Sequence, residues 1–176
     1  KNINDQIWII GSNSSESTIA ASSYLDYFHG LVTGRPPKID LQAEKCCQSF
    51  LREAILKNYI ISSHDVSDGG LAISLSECCI LSSKGATVNL KRNDTRADSL
   101  LFSEGGSRII FTLNKKQELK FLDFVKRNIN NCDQNVYVKK IGFVSKENLN
   151  ISIEDNEICN LRVDQLAKKF NNSISS

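Results

Sequence analysis

The chain has 176 residues, 40% of them hydrophobic and 24% charged, with a formal net charge of +2. That length suits one globular domain with a sizeable core. The near-neutral balance argues against a nucleic-acid binder that works by bulk electrostatics. No apolar run approaches the roughly 20 residues a membrane span needs.

Gln6 to Ile10 reads as a buried strand and Gly11 to Ser17 as a polar loop. Ile19 to Phe28 reads as a helix ending near His29-Gly30, with Tyr24, Tyr27 and Phe28 turned into the core. Thr33 to Pro37 is a linker with strong breaker signals. Asp40 is placed to cap a helix whose residues Cys47, Phe50, Leu51, Ala54 and Ile55 recur on one apolar face. Asn58 stops it. Tyr59-Ile60-Ile61 then leads as a strand into a glycine turn, and a helix runs from Leu71 to Ser82. Ala86 to Leu90 is a strand and Asn93 to Asp98 a charged loop. The strand Ile109 to Leu113 and a helix from about Lys116 to Asn128 come next. Val136 to Val144, Leu149 to Ile153 and Glu157 to Leu161 are late strands suited to hairpins. A last helix carries Val163, Leu166 and Phe170 on one face, with Lys168-Lys169 in solvent. Helices and strands mix without strict alternation, which predicts an α+β fold: a mixed β-sheet flanked by helices.

The six cysteines include no C-x-x-C pair, which argues against a zinc site. Reduced, partly buried thiols in a cytoplasmic protein are the expectation. The N-terminus has no signal-peptide pattern. The chain contains no methionine, so it reads as a piece of something longer or as a processed segment.

Three constellations carry chemistry. The first is His64-Asp65-Val66-Ser67-Asp68-Gly69-Gly70, on a strand-to-helix turn. Its glycine amides and helix start suit a phosphate. Asp65 and Asp68 are oxygen donors of the kind that hold Mg²⁺, and His64 suits acid–base work or an anion contact. The competing reading is structural: Asp68 caps the helix and Asp65 binds turn amides. The second constellation is Phe102-Ser103-Glu104-Gly105-Gly106-Ser107-Arg108. Arg108 suits a phosphate or carboxylate; alternatively, a Glu104–Arg108 ion pair stiffens the turn. The third is Ser22-Ser23, whose hydroxyls suit either a ligand or a helix cap.

With those residues in view, His64 to Ala72 resembles a signature of phosphoribosylformylglycinamidine synthase (FGAM synthase). Phe102-Ser103-Glu104 with Arg108, Gly34-x-Pro36-Pro37 and Ile141-Gly142-x-Val144 are similar to further family segments. The resemblance runs from about Ile7 to Phe170. It matches the enzyme's C-terminal domain, of the aminoimidazole ribonucleotide synthetase C-terminal domain superfamily. It implies that residues 1–176 are one C-terminal domain of a longer, cytoplasmic synthase chain. The implied reaction turns formylglycinamide ribonucleotide, ATP and glutamine-derived ammonia into the amidine, ADP and phosphate. ATP and Mg²⁺ are the implied cofactors. The implied partners are ATP-binding domains upstream in the same chain and, for the short form of the enzyme, a glutaminase subunit and a small bridging subunit.

His64, Asp65, Ser67, Asp68, Gly69, Gly70 and Arg108 become candidates for lining the substrate or nucleotide cleft, with Asp65 and Asp68 as metal ligands. The isolated segment is expected to be inactive. Ala20-Ala21-Ser22 stands where the family usually has Gly-Gly-Ser, which counts against a ligand role for Ser22. Two rivals remain: a non-catalytic scaffold or interdomain packing domain, and a related superfamily member. Selenophosphate synthetase, thiamine-monophosphate kinase, a hydrogenase maturation factor and aminoimidazole ribonucleotide synthetase are of the latter type.

Overall fold

The computed structural model describes residues 1–12, 18–92, 94–129 and 135–174, with residues 173 and 174 described by backbone alone. Its centre is a seven-stranded mixed sheet. The strands are β1 (Gln6–Ser12), β2 (Ile60–Asp65), β3 (Ala86–Leu90), β4 (Ile109–Leu113), β5 (Val136–Val144), β6 (Asn148–Ile153) and β7 (Asn156–Arg162). They lie in the order β2-β4-β1-β5-β3-β6-β7. Only the β3–β6 pair is parallel. The helices are α1 (Ser23–His29), α2 (Leu41–Leu56), α3 (Gly70–Ser82), α4 (Ala97–Phe102), α5 (Glu118–Ile129) and α6 (Val163–Ile174).

Alternation along the strands divides the core in two. On one face Ile7, Ile9, Ile110, Val88 and Ile151 pack with Leu71, Leu75 and Cys79 of α3, Leu101 of α4 and Val163 of α6. On the other, Trp8, Ile10, Phe111 and Leu113 pack with Ala43, Cys47 and Phe50 of α2 and Phe121 and Phe124 of α5. Phe121 is fully buried there, and its ring meets those of Trp8, Phe50, Tyr59, Phe111 and Phe124. The β3-β6-β7 half of this second face needs no helix. Its side chains are polar and bond one another, as in Asn148–Asn160, Asn150–Glu157 and Asn89–Asp155.

The α+β reading and most elements hold, and Asp40 caps α2 through the amides of Gln42 and Ala43. Several expectations need correction. The first helix starts at Ser23, because Ala21 sits at φ 55° and the side chain of Ser22 caps the helix behind it. Strand β1 runs to Ser12, and the rest of the expected loop, 13–17, lies outside the described residues. Ala97 and Asp98, expected in the charged loop, instead begin a short helix that runs to Phe102. Strands β6 and β7 do form a hairpin, but β3 separates β5 from β6. Tyr27 and Phe28 are exposed, and Tyr24 is half-buried with its ring stacked on Phe102 at 4.6 Å.

The thiols also depart from expectation. Cys46 is disulfide-bonded, whereas Cys47, Cys78, Cys79 and Cys159 are free. Burial pushes Cys47 and Cys79 up to about 12.

Phe121→Ala empties the aromatic centre of the α2–α5 layer. It is expected to cost about 3–5 kcal/mol, read as a lowered midpoint in chemical denaturation.

Candidate functional site

The glycine turn begins where β2 ends. Its register against β4 pairs His64 with Ile110 and Asp65 with Ile109. Ile110 belongs to the α3 side of the sheet and Ile109 to the α2 side. Consecutive strand residues face opposite ways, so His64 and Asp65 diverge and do not form one cluster. His64 Nδ1 meets the Asp65 carbonyl at 2.7 Å, and Nε2 lies 3.6 Å from Glu77 of α3. The ring lines an apolar recess with Leu75, Cys78 and Cys79. Asp65, Ser67 and Asp68 are exposed.

Beyond β2 the chain is held by Val66, whose amide donates to the Arg108 carbonyl at 2.8 Å. Gly69 and Gly70 then turn through φ values of 76° and 69°, which side chains rarely adopt. Gly70 also allows a close approach: a Cβ there would lie 2.7 Å from the backbone of Phe102 and from the Ser103 carbonyl. Gly69 is the N-cap of α3 and offers no side-chain bond. Asp68 therefore does not cap the helix.

Glu104 supplies what Asp68 does not. Its Oε1 accepts the Gly69 amide at 2.7 Å and the Ser23 amide, at the start of α1, at 2.8 Å. One carboxylate oxygen thus joins two helix starts, as the dipole of each favours. All three constellations meet here. Glu104 was visible in the second motif, but its partners are 81 and 35 residues away in sequence. Nothing local to Glu104 points to them.

The expected Glu104–Arg108 ion pair does not form. Arg108 is 9% exposed and turns inward to donate to the Ser103 carbonyl. Burial pushes its guanidinium below the usual value, yet arginine stays charged at neutral pH. Burial likewise pushes the neighbouring Tyr137 phenol up, and the Arg108 cation partly offsets that. Among the described residues no carboxylate pairs with Arg108. A buried cation without a counter-charge is costly and suits an anion from outside. The Ser103 carbonyl lies between Arg108 and the Gly70 turn, so cation and turn form one unit. Ser22 acts as a cap, bonding the Ile19 carbonyl and the Leu25 amide.

No group of three His, Cys, Asp or Glu residues is placed to hold a metal among the described residues. No helix among them is long and apolar enough to cross a membrane.

Glu104→Ala leaves the Ser23 and Gly69 amides without their acceptor. It is expected to cost about 1–3 kcal/mol, whereas Glu104→Gln keeps an oxygen acceptor and costs less. Urea midpoints of the two variants check the order.

Comparison with known proteins bears on the same residues. The family described as AIR synthase related protein, C-terminal domain, matches residues 2–147. Phosphoribosylformylglycinamidine synthase subunit PurL of Prochlorococcus marinus strain MIT 9515 is 70% identical over the whole chain. The same subunit from strain MIT 9313 is 38% identical over 97% of it. The chain spans about 23% of the first relative's length and 22% of the second's. Among solved structures, Thermotoga maritima PurL complexed with FGAR has this fold at TM-score 0.74 and 17% identity, over 95% of this chain and 28% of that one. A HypE–HypF complex matches at TM-score 0.56 and 15% identity, over 92% of this chain and 54% of that one. By its sequence and its fold, the chain belongs to the AIR synthase related protein C-terminal domain family.

Proposed function

We propose that residues 1–176 are one C-terminal domain of a longer, cytoplasmic FGAM synthase chain. The complete enzyme converts formylglycinamide ribonucleotide, ATP and glutamine-derived ammonia into formylglycinamidine ribonucleotide, ADP and phosphate. The observation that carries this reading is the 70% identity to the Prochlorococcus synthase subunit over the entire segment. The T. maritima neighbours supply the parallel for ligands: their names record complexes with FGAR, ATP and ADP. The PurLQS structure from the same organism fits the expectation of a glutaminase and a small bridging subunit as partners.

In this reading the turn works by positioning and charge. The exposed Ser67 and Asp68 and the first turn of α3 form one wall of a nucleotide or substrate cleft, whereas the Gly69 and Gly70 amides are themselves taken by Glu104 and by the Ser67 carbonyl. Arg108, buried beneath it with no carboxylate partner among the described residues, attracts an anionic group toward that wall. Such preorganised charge is what phosphoryl transfer to an amide oxygen requires. His64 borders the cleft from the α3 side, its ring held by Glu77.

Asp65 and Asp68 would hold Mg²⁺. Both are exposed oxygen donors, and neither has an ion-pair partner among the described residues. Among the described residues no group of three His, Cys, Asp or Glu is placed to hold a metal, so phosphate oxygens and water would complete the shell. A bound Mg²⁺ would supply neutralisation of phosphate charge.

One observation favours the scaffold alternative. Gly70 and Glu104 are both consumed by internal packing, so the motif has a structural use of its own.

Asp65→Asn and Asp68→Asn in the full-length synthase separate the two readings. Ligand positioning predicts at least a tenfold loss of ATP-dependent amidine formation with an unchanged melting temperature. A lowered melting temperature with full activity per folded molecule would favour the scaffold. The isolated 176-residue chain is expected to form no amidine from ATP and ammonia.

A further inference from the structure

Helix α1 buries none of its own residues. Tyr27 is 85% exposed and Val32 82%, and Phe28, Leu31, Ile39 and Leu41 are exposed with them. Six large apolar side chains exposed within one short stretch of chain point to an interaction site. The stretch is also held in shape. The Ala21 amide donates to the Thr33 carbonyl at 2.9 Å, and Gly30 closes α1 on the Asp26 carbonyl at 2.8 Å. Tyr24 is stacked on Phe102, and Asp40 caps α2 where the stretch ends. These contacts fix both ends of the stretch, which lowers the entropy cost of covering it.

Charge narrows the class of occupant. Between Tyr24 and Leu41, Asp26 and Asp40 balance Arg35 and Lys38. A neutral apolar strip suits neither a phosphate backbone nor an anionic bilayer surface. It suits another protein surface. The relatives narrow it further. The segment matches 23% of the length of a 70%-identical relative, and its family is described as a C-terminal domain. Most of such a polypeptide lies outside the segment and needs a seat against it.

We propose that the strip from Tyr27 to Leu41 is that seat: the surface on which the preceding part of the longer polypeptide packs. The inference rests on the reading of the segment as the last domain of a synthase. Interdomain contacts of this kind bury an apolar centre within a polar rim, here Arg35, Lys38 and Asp26. The seat is continuous with the candidate site, because α1 begins at the Ser23 amide that Glu104 holds.

Hydroxyl-radical footprinting of the full-length polypeptide tests this, with oxidation rates at Tyr27 and Val32 set against those of the unfolded chain. Both are expected to react at least tenfold more slowly in the folded full chain, at every dilution and with no other subunit added. Rates near the unfolded values would overturn the proposal. Protection that fades on dilution would also overturn it, by assigning the strip to a second copy. Protection that needs added glutaminase would do so by assigning it to that subunit. Activity is read separately. A full chain that forms amidine with Val32 reactive refutes the seat alone. Protection without amidine formation refutes the synthase reading alone.

Discussion

Glu104 Oε1 takes the amides of Ser23 and Gly69 at 2.8 and 2.7 Å, and the placement of the glycine turn depends on that contact. Backbone N–H groups at a helix start have no partner within the helix. Neither an Asp68 cap nor a Gly69 side chain satisfies those of α3. An internal carboxylate takes the Gly69 amide instead, and it comes from the segment that also carries Arg108. The turn can approach that segment closely only because Gly70 lacks a Cβ. Motif, carboxylate and buried cation are thus one packed unit.

The sheet gives this unit its base. Strand β4 lies between β2 and β1. The residue before β4 is Arg108, and the turn comes directly after β2, so the antiparallel pairing brings the two together. The Val66 amide on the Arg108 carbonyl continues the ladder past the end of β2. Two apolar layers, one on each face, hold β4 and β1 in place. The site stands at a sheet margin, next to the start of α1 with its uncovered side chains.

Local patterns were legible in the sequence. The Asp40 cap and the apolar face behind it produced α2. The continuous apolar runs of β1 and β4 marked buried strands. The family signature and its candidate residues could be read without any structure. Properties set by distant parts of the chain could not. Helix α4 is six residues long and buries only Ser99 and Leu101, too little to show a period. The insertion of β3 between β5 and β6 depends on pairing, which local pattern does not encode. Tyr27 and Phe28 read as core residues because apolar side chains are expected inside; in this segment they stand outside. His64 and Asp65 are neighbours in sequence and read as members of one constellation, but the strand continues through both and sends them to opposite faces.

The central claim is that the Gly69–Gly70 turn receives an anionic ligand in the complete enzyme. Backbone hydrogen exchange over residues 64–73 of the full-length polypeptide, with and without formylglycinamide ribonucleotide or an ATP analogue, tests it most directly. The account predicts that at least one of these ligands slows exchange at the turn amides while the β6–β7 hairpin is unchanged. Equal exchange at the turn under saturating concentrations of both would contradict it.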